Sequence, residues 1–194
     1  MKFLLQLANG IDTLNQKIGN AISWALFLAV LICAGNALLR YTLNASSNAW
    51  LEIQWVLFSA SFLLGAAHTL RRNEHVRIDV LAGRLSQRAQ VWLDLFGFLF
   101  FLLPVCALIL RYGIPFALTS ISNQEVSSNA GGLIVWPAKC LIPLGFFLLA
   151  LQAFSEIIKR IGFLFGMVDG NTFVKASASV QPGMPSSVMP PPSQ

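Results

Sequence analysis

The chain has 194 residues, of which 56% are hydrophobic and only 11% charged, and it carries fifteen Phe and a formal net charge of +5. A water-soluble domain of this length needs far more polar surface, so the composition excludes an ordinary globular enzyme and indicates an integral membrane protein. The positive balance does not indicate nucleic acid, because the basic residues sit at the ends of apolar stretches, where they meet anionic lipid headgroups.

At the N-terminus Phe3, Leu7, Ile11, Leu14 and Ile18 recur at helical spacing, opposite Gln6, Asn9 and Lys17. The stripe predicts an amphipathic helix on the inner membrane surface; a cytoplasmic extension of the first span is the alternative. The apolar run after Lys2 is too short for the core of a signal peptide. Four longer apolar stretches follow, at 18–39, 53–70, about 91–110 and 133–154. The hydrocarbon core is about 30 Å thick, so runs of about 17 to 25 residues cross it as helices. The alternation of a membrane barrel appears nowhere at length, which leaves helices as the way to satisfy the backbone in lipid. Asp94 lies near the start of span three, where it stays hydrated, and Pro104 and Pro143 are candidate kinks in spans three and four.

Orientation follows from the Lys and Arg positions. Lys2, Lys17, Arg71, Arg72, Arg77, Arg84, Arg88, Lys159, Arg160 and Lys175 fall on one side, whereas Arg40 and Arg111 fall on the other, with Lys139 just inside span four. The positive-inside rule then places both termini and the connection between spans two and three in the cytoplasm. Trp24 and Trp92 mark the inner boundary, and Trp50, Trp55 and Trp136 the outer one. Within the 71–94 connection, Ile78, Leu81, Leu85 and Trp92 form an apolar stripe beside Arg77, Arg84 and Arg88, and Ser86 is placed to cap the following helix. This predicts a second interfacial segment. The outer connections, 42–49 and 112–132, are polar and too short to be folded domains. From Gly166 onward the apolar pattern is lost, and Pro182, Pro185, Pro190, Pro191 and Pro192 mark a disordered tail over 166–194, behind a four-helix membrane domain over 1–165.

The expected fold is therefore an all-α membrane protein with four transmembrane helices, both termini inside, and amphipathic interfacial helices at the N-terminus and between spans two and three. No ionisable residue is expected in the middle of any span. Proton or sodium coupling generally uses intramembrane carboxylates or unwound helices lining a cavity, and neither is indicated. Cys33, Cys106 and Cys140 lie within spans without paired spacing and read as small apolar residues, not ligands or disulfides. His68 and His75 share a helix end with four arginines, which repel a metal cation, and one chain lacks histidines on two spans to clamp a haem. Ser59, Ser61 and Asn36 read as helix–helix contacts. No metal, cofactor or catalytic residue is expected. A stand-alone channel or small carrier needs polar stripes lining a pore, and a membrane redox or hydrolytic enzyme needs cofactor ligands or a nucleophile with its base. Lys139 either snorkels to the outer surface or pairs with Glu52 at the start of span two, within this protein or at a partner interface.

Arg40-Tyr41, Trp50-Leu51-Glu52, Leu64-Gly65-Ala66-Ala67 and Arg71-Arg72-Asn73-Glu74-His75-Val76-Arg77-Ile78-Asp79-Val80 resemble, in order, spacing and placement, the small membrane subunit (DctQ type) of tripartite ATP-independent periplasmic (TRAP) transporters. The resemblance covers about residues 18–160. The segment around Gly131-Gly132, Trp136-Pro137-Ala138-Lys139 and Ile142-Pro143 is similar to a longer branch of that family. Ile53 departs from the pattern, because many members carry a second acid there, so any partner contact at that point differs in detail.

The resemblance implies a bacterial inner-membrane importer in three parts. A soluble periplasmic protein (DctP type) captures an organic acid or similar solute, a large membrane subunit (DctM type) carries it inward with sodium, and the small subunit braces the large one. It also implies roles in assembly or helix-end anchoring for Arg40, Trp50, Glu52, Arg71, His75, Arg77 and Asp79, to which Lys139 is added from its depth. The loops around Trp50 and Glu125 are then placed to meet the periplasmic binding protein.

Overall fold

A computed structural model describes residues 2–43, 47–72 and 87–165. Helix α1 spans Lys2–Leu43, α2 spans Asn48–Arg72 and α3 spans Gln87–Gly97; a π-helical turn at Phe98–Leu102 joins α3 to α4, Leu103–Ser122, and α5 spans Trp136–Leu164. Four rods, namely α1, α2, the α3–α4 unit and α5, are long and apolar enough to cross a membrane. The tail over 166–194 and most of the connection between spans two and three, with the expected cap Ser86, lie outside the described residues.

α2 starts earlier and α5 ends later than expected, at Asn48 and Leu164, and three further differences bear on the packing. The N-terminal segment and span one form a single continuous helix, α1, as the extension alternative has it. No proline interrupts it, and its polar residues Asp12, Asn15 and Gln16 find partners on α2 and α5 rather than water. Span three runs on through Arg111 to Ser122, because the residues after Arg111 continue the apolar helical pattern and Gly113, Ala117 and Ser120 bury one face. Span four starts at Trp136, since 133–135 belong to a loop stapled by an isolated bridge between Val126 and Ile134.

Pro104 explains the π-helical turn. Its ring collides with the carbonyl four residues back and it offers no N–H, so the preceding turn widens and the Leu103 N–H reaches the Phe98 carbonyl instead. Pro115 and Pro143 lie inside α4 and α5, and both helices continue through them.

α5 is the central rod: α1, α2 and α4 all pack on it, and α1 also packs along α2. The buried apolar residues are mostly small, Ala8, Ala29, Ala67, Ala117 and Ala153 among them, while Phe58, Phe62, Phe100, Phe101, Trp55 and Trp92 are exposed. That is the reverse of a water-soluble protein. Lipid tails are as apolar as Leu, so helices in a bilayer gain most where small residues let backbones approach. Two glycines show how close the approach is. A Cβ on Gly145 would stand 2.9 Å from the backbone oxygen of Leu63, and one on Gly19 would stand 2.4 Å from the His68 ring.

Gly145→Ala therefore separates α2 from α5 and lowers stability by about 1–3 kcal/mol, the usual cost of overpacking. Gly35→Ala, where nothing lies within 4 Å, is the control expected to leave stability unchanged. Thermal unfolding of both variants in detergent or nanodiscs checks the contrast.

Candidate functional site

The polar side chains gather at two ends of the bundle. At the end that carries the N-terminus, hereafter the basal end, the centre is the Asp12 carboxylate of α1. Its Oδ1 accepts hydrogen bonds from Ser155 Oγ at 2.9 Å and Gln152 Nε2 at 3.0 Å, both on α5. Its Oδ2 pairs with the Lys159 ammonium and lies 3.9 Å from Arg71 Nε of α2. Arg71 also donates to Gln16, and Asn15 Nδ2 donates to Gln152 Oε1 at 2.7 Å. Three helices thus meet at one acid.

A second cluster adjoins it. Arg160 pairs with Glu156 one turn earlier and with Asp94 of α3 at 3.1 Å, and its guanidinium lies 4.7 Å from the Phe98 ring centre. Arg160 is only 1% exposed. Asp12, Asp94 and Glu156 balance Arg71, Lys159 and Arg160, so the layer is neutral among these residues. Neutrality matters because removing one member of a buried pair strands the other charge.

At the opposite end, the loop end, Glu52 organises the connection between α4 and α5. Its Oε1 accepts from Asn129 Nδ2 at 2.9 Å and from the Ser127 hydroxyl, and its Oε2 accepts the Leu133 N–H at 2.6 Å. Asn48 Nδ2 adds a bond to the Ala130 carbonyl at 3.0 Å. The loop turns back at Gln124 and Gly131, with φ of 47° and 71°. At Gly131 the absence of a Cβ removes the strain of that conformation.

Lys139 does not pair with Glu52. It pairs with Glu125, and its ammonium lies 4.4 Å from the Phe116 ring centre. The Gln124 turn carries Glu125 over the start of α5, while the loop's own donors occupy Glu52. The Lys139 hydrogen bond, followed by one from the Ser120 hydroxyl, holds the Glu125 carboxyl below its ordinary value of 4.5.

Of the residues expected to matter from sequence, Glu52, Arg71 and Lys139 enter polar networks, whereas Arg40 and Trp50 are exposed at the loop end. His75, Arg77 and Asp79 lie outside the described residues. Ser61 bonds back to the Leu57 carbonyl of its own helix instead of crossing to another. The basal network was missed from sequence, although its signal was present: Gln152, Ser155, Glu156, Lys159 and Arg160 share one helical face, as do Asp12, Asn15 and Gln16. Among the described residues no group of three or more His, Cys, Asp or Glu stands close enough to hold a metal.

Glu156→Ala leaves Arg160 with one acid instead of two and destabilises the bundle by about 3 kcal/mol, while Glu156→Gln, which keeps a hydrogen bond, costs less. Thermal unfolding of the lone chain measures both. At the loop end, a carboxyl with a depressed pKa contributes fully above its ordinary value and loses the contribution as pH falls through its lower folded value. Glu125 therefore titrates below 4.5, and Lys139→Met raises its midpoint toward 4.5, as read from the carboxyl carbon resonance in an acid titration.

No curated protein and no solved structure matches the chain. The family model of the DctQ component of tripartite ATP-independent periplasmic transporters matches residues 21–163, through all four membrane-spanning rods. The chain belongs to that family: it is a multi-pass, non-enzymatic membrane component of a TRAP transporter.

Proposed function

We propose that this chain is the small permease subunit of a sodium-coupled TRAP importer of an organic acid or similar solute, and that it braces the stationary scaffold of the large permease subunit. The basal end faces the cytoplasm, in keeping with the ten basic residues assigned to that side by sequence. The loop end, with Trp50, Glu52 and Glu125, faces the periplasm and helps dock the solute-binding protein.

The observation that carries the reading is where the buried polar groups go. Gln152, Ser155, Glu156 and Arg160 are buried and bonded to residues of this same chain. They hold α1, α3 and α5 to one another. A carrier needs polar groups free to trade partners with cargo, whereas a brace needs them committed. If the large subunit carries cargo by moving part of itself across the bilayer, the remainder must resist tilting, and a bundle fixed to it widens its base.

Reconstitution tests this. The lone chain in liposomes transports nothing, and solute uptake driven by a sodium gradient requires the large permease subunit and the binding protein together with this chain. Uptake by the lone chain would overturn the proposal, as would full activity of the other two components in its absence.

A further inference from the structure

Arg111 sits where a charge is least expected. It is exposed on α4, and no described residue forms an ion pair or hydrogen bond with it. At 1.5 Å per residue it lies about 16 Å from Ser122 at the loop end and about 20 Å from Phe98 at the basal end. The contacts of α4 with α5 fix the same height independently. Gly113 faces Ile142 and Pro143, Phe116 lies under Lys139, and Phe98 lies under Arg160. Arg111 is thus level with about residue 144 of α5, roughly 8 Å below Lys139 and about 12 Å above Gln152. Both polar layers are out of its immediate range.

Helical side chains lean toward the N-terminus of their helix. α4 runs from the basal end to the loop end, so the Cα–Cβ bond of Arg111 tilts toward the bundle's middle and away from the nearer surface. The buried face of α4, formed by Cys106, Gly113, Ala117 and Ser120, points the other way, toward α5. Leu108 and Leu118 are 60% and 57% exposed on the side that Arg111 shares. Hydrocarbon cannot solvate a guanidinium there, and intramembrane charges generally pair or face protein.

We infer that this α4 face, centred on Arg111, is the intramembrane contact with the large permease subunit, and that the partner supplies a carboxylate to Arg111 at mid-depth. The inference rests on the proposed function and adds to it the surface and the chemistry of the contact. A second copy of this chain does not meet the requirement. Its described acids, Asp12, Asp94 and Glu156 at the basal end and Glu52 and Glu125 at the loop end, all lie away from the Arg111 level. The occupant of this face is therefore a different membrane helix that carries an acid.

The test co-expresses the chain with the large subunit of its own transporter and compares wild type, Arg111→Leu and Arg111→Lys, with a photo-crosslinking residue replacing Leu108 in a separate variant. The expected result is association weakened at least about thirtyfold by Arg111→Leu, the scale of breaking a desolvated charge pair, and largely kept by Arg111→Lys. The lone Arg111→Leu chain should insert and melt like wild type, and the crosslinker should label the large subunit. Undiminished association of Arg111→Leu, or crosslinks to lipid or to a second copy alone, would overturn the inference and leave the proposed function standing. A wild-type chain that fails to associate with any large subunit would overturn both.

Discussion

The Asp12 carboxylate ties α1, α2 and α5 together at one point. Apolar burial cannot drive helices together within lipid, because both states are apolar, so register depends on directional contacts and close backbone approach. Asp12 receives Ser155, Gln152 and Lys159 from α5 and stands beside Arg71 at the end of α2. That pins three helices at one height. The same register brings Gly19 of α1 against the His68 ring of α2 and Gly145 of α5 against Leu63. Desolvating such charges costs much of what their attraction returns, so the network's contribution is mainly to specify one alignment.

The network also explains the long α1. An amphipathic segment lies on a membrane surface when its polar face has only water to meet. Here Asp12, Asn15 and Gln16 meet committed partners, and a continuous helix keeps them in reach while leaving Leu7 and Leu14 exposed. The two ends then behave as separate clamps. The basal clamp joins α1, α2, α3 and α5 through side chains, whereas the loop clamp uses Glu52 to hold a short connection whose backbone groups have no helix to satisfy them.

The number and approximate position of the spans were legible because hydrocarbon thickness sets a minimum apolar length. The end of span three was not. A hydropathy reading treats Arg111 as a boundary, yet Gly113, Ala117 and Ser120 continue at helical spacing and form a small-residue face for α5, which decides how far the helix runs. Lys139 was legible as a charge needing an account, but two acids were available to it. Loop geometry chose Glu125, and no spacing rule encodes a turn with positive φ at Gln124. The basal network escaped notice because attention to apolar stripes leaves polar stripes on the same helices unread.

A rigid bundle is useful to a neighbour only if it is fixed at both ends. Glu52 of the loop clamp and Arg71 of the basal clamp lie at opposite ends of α2, about 28 Å apart along the helix axis and close to the thickness of the hydrocarbon core. Between them the described helices offer mostly apolar side chains and close-packed small residues, a few uncharged polar ones such as Ser59 and Ser61, and Arg111. Among the described residues the acids and most buried polar groups are satisfied internally, while Arg111 is exposed at mid-depth. Under the proposed bracing role the two kinds of polar group divide the work: the internal ones set the bundle's shape, and Arg111 marks where a second protein would attach.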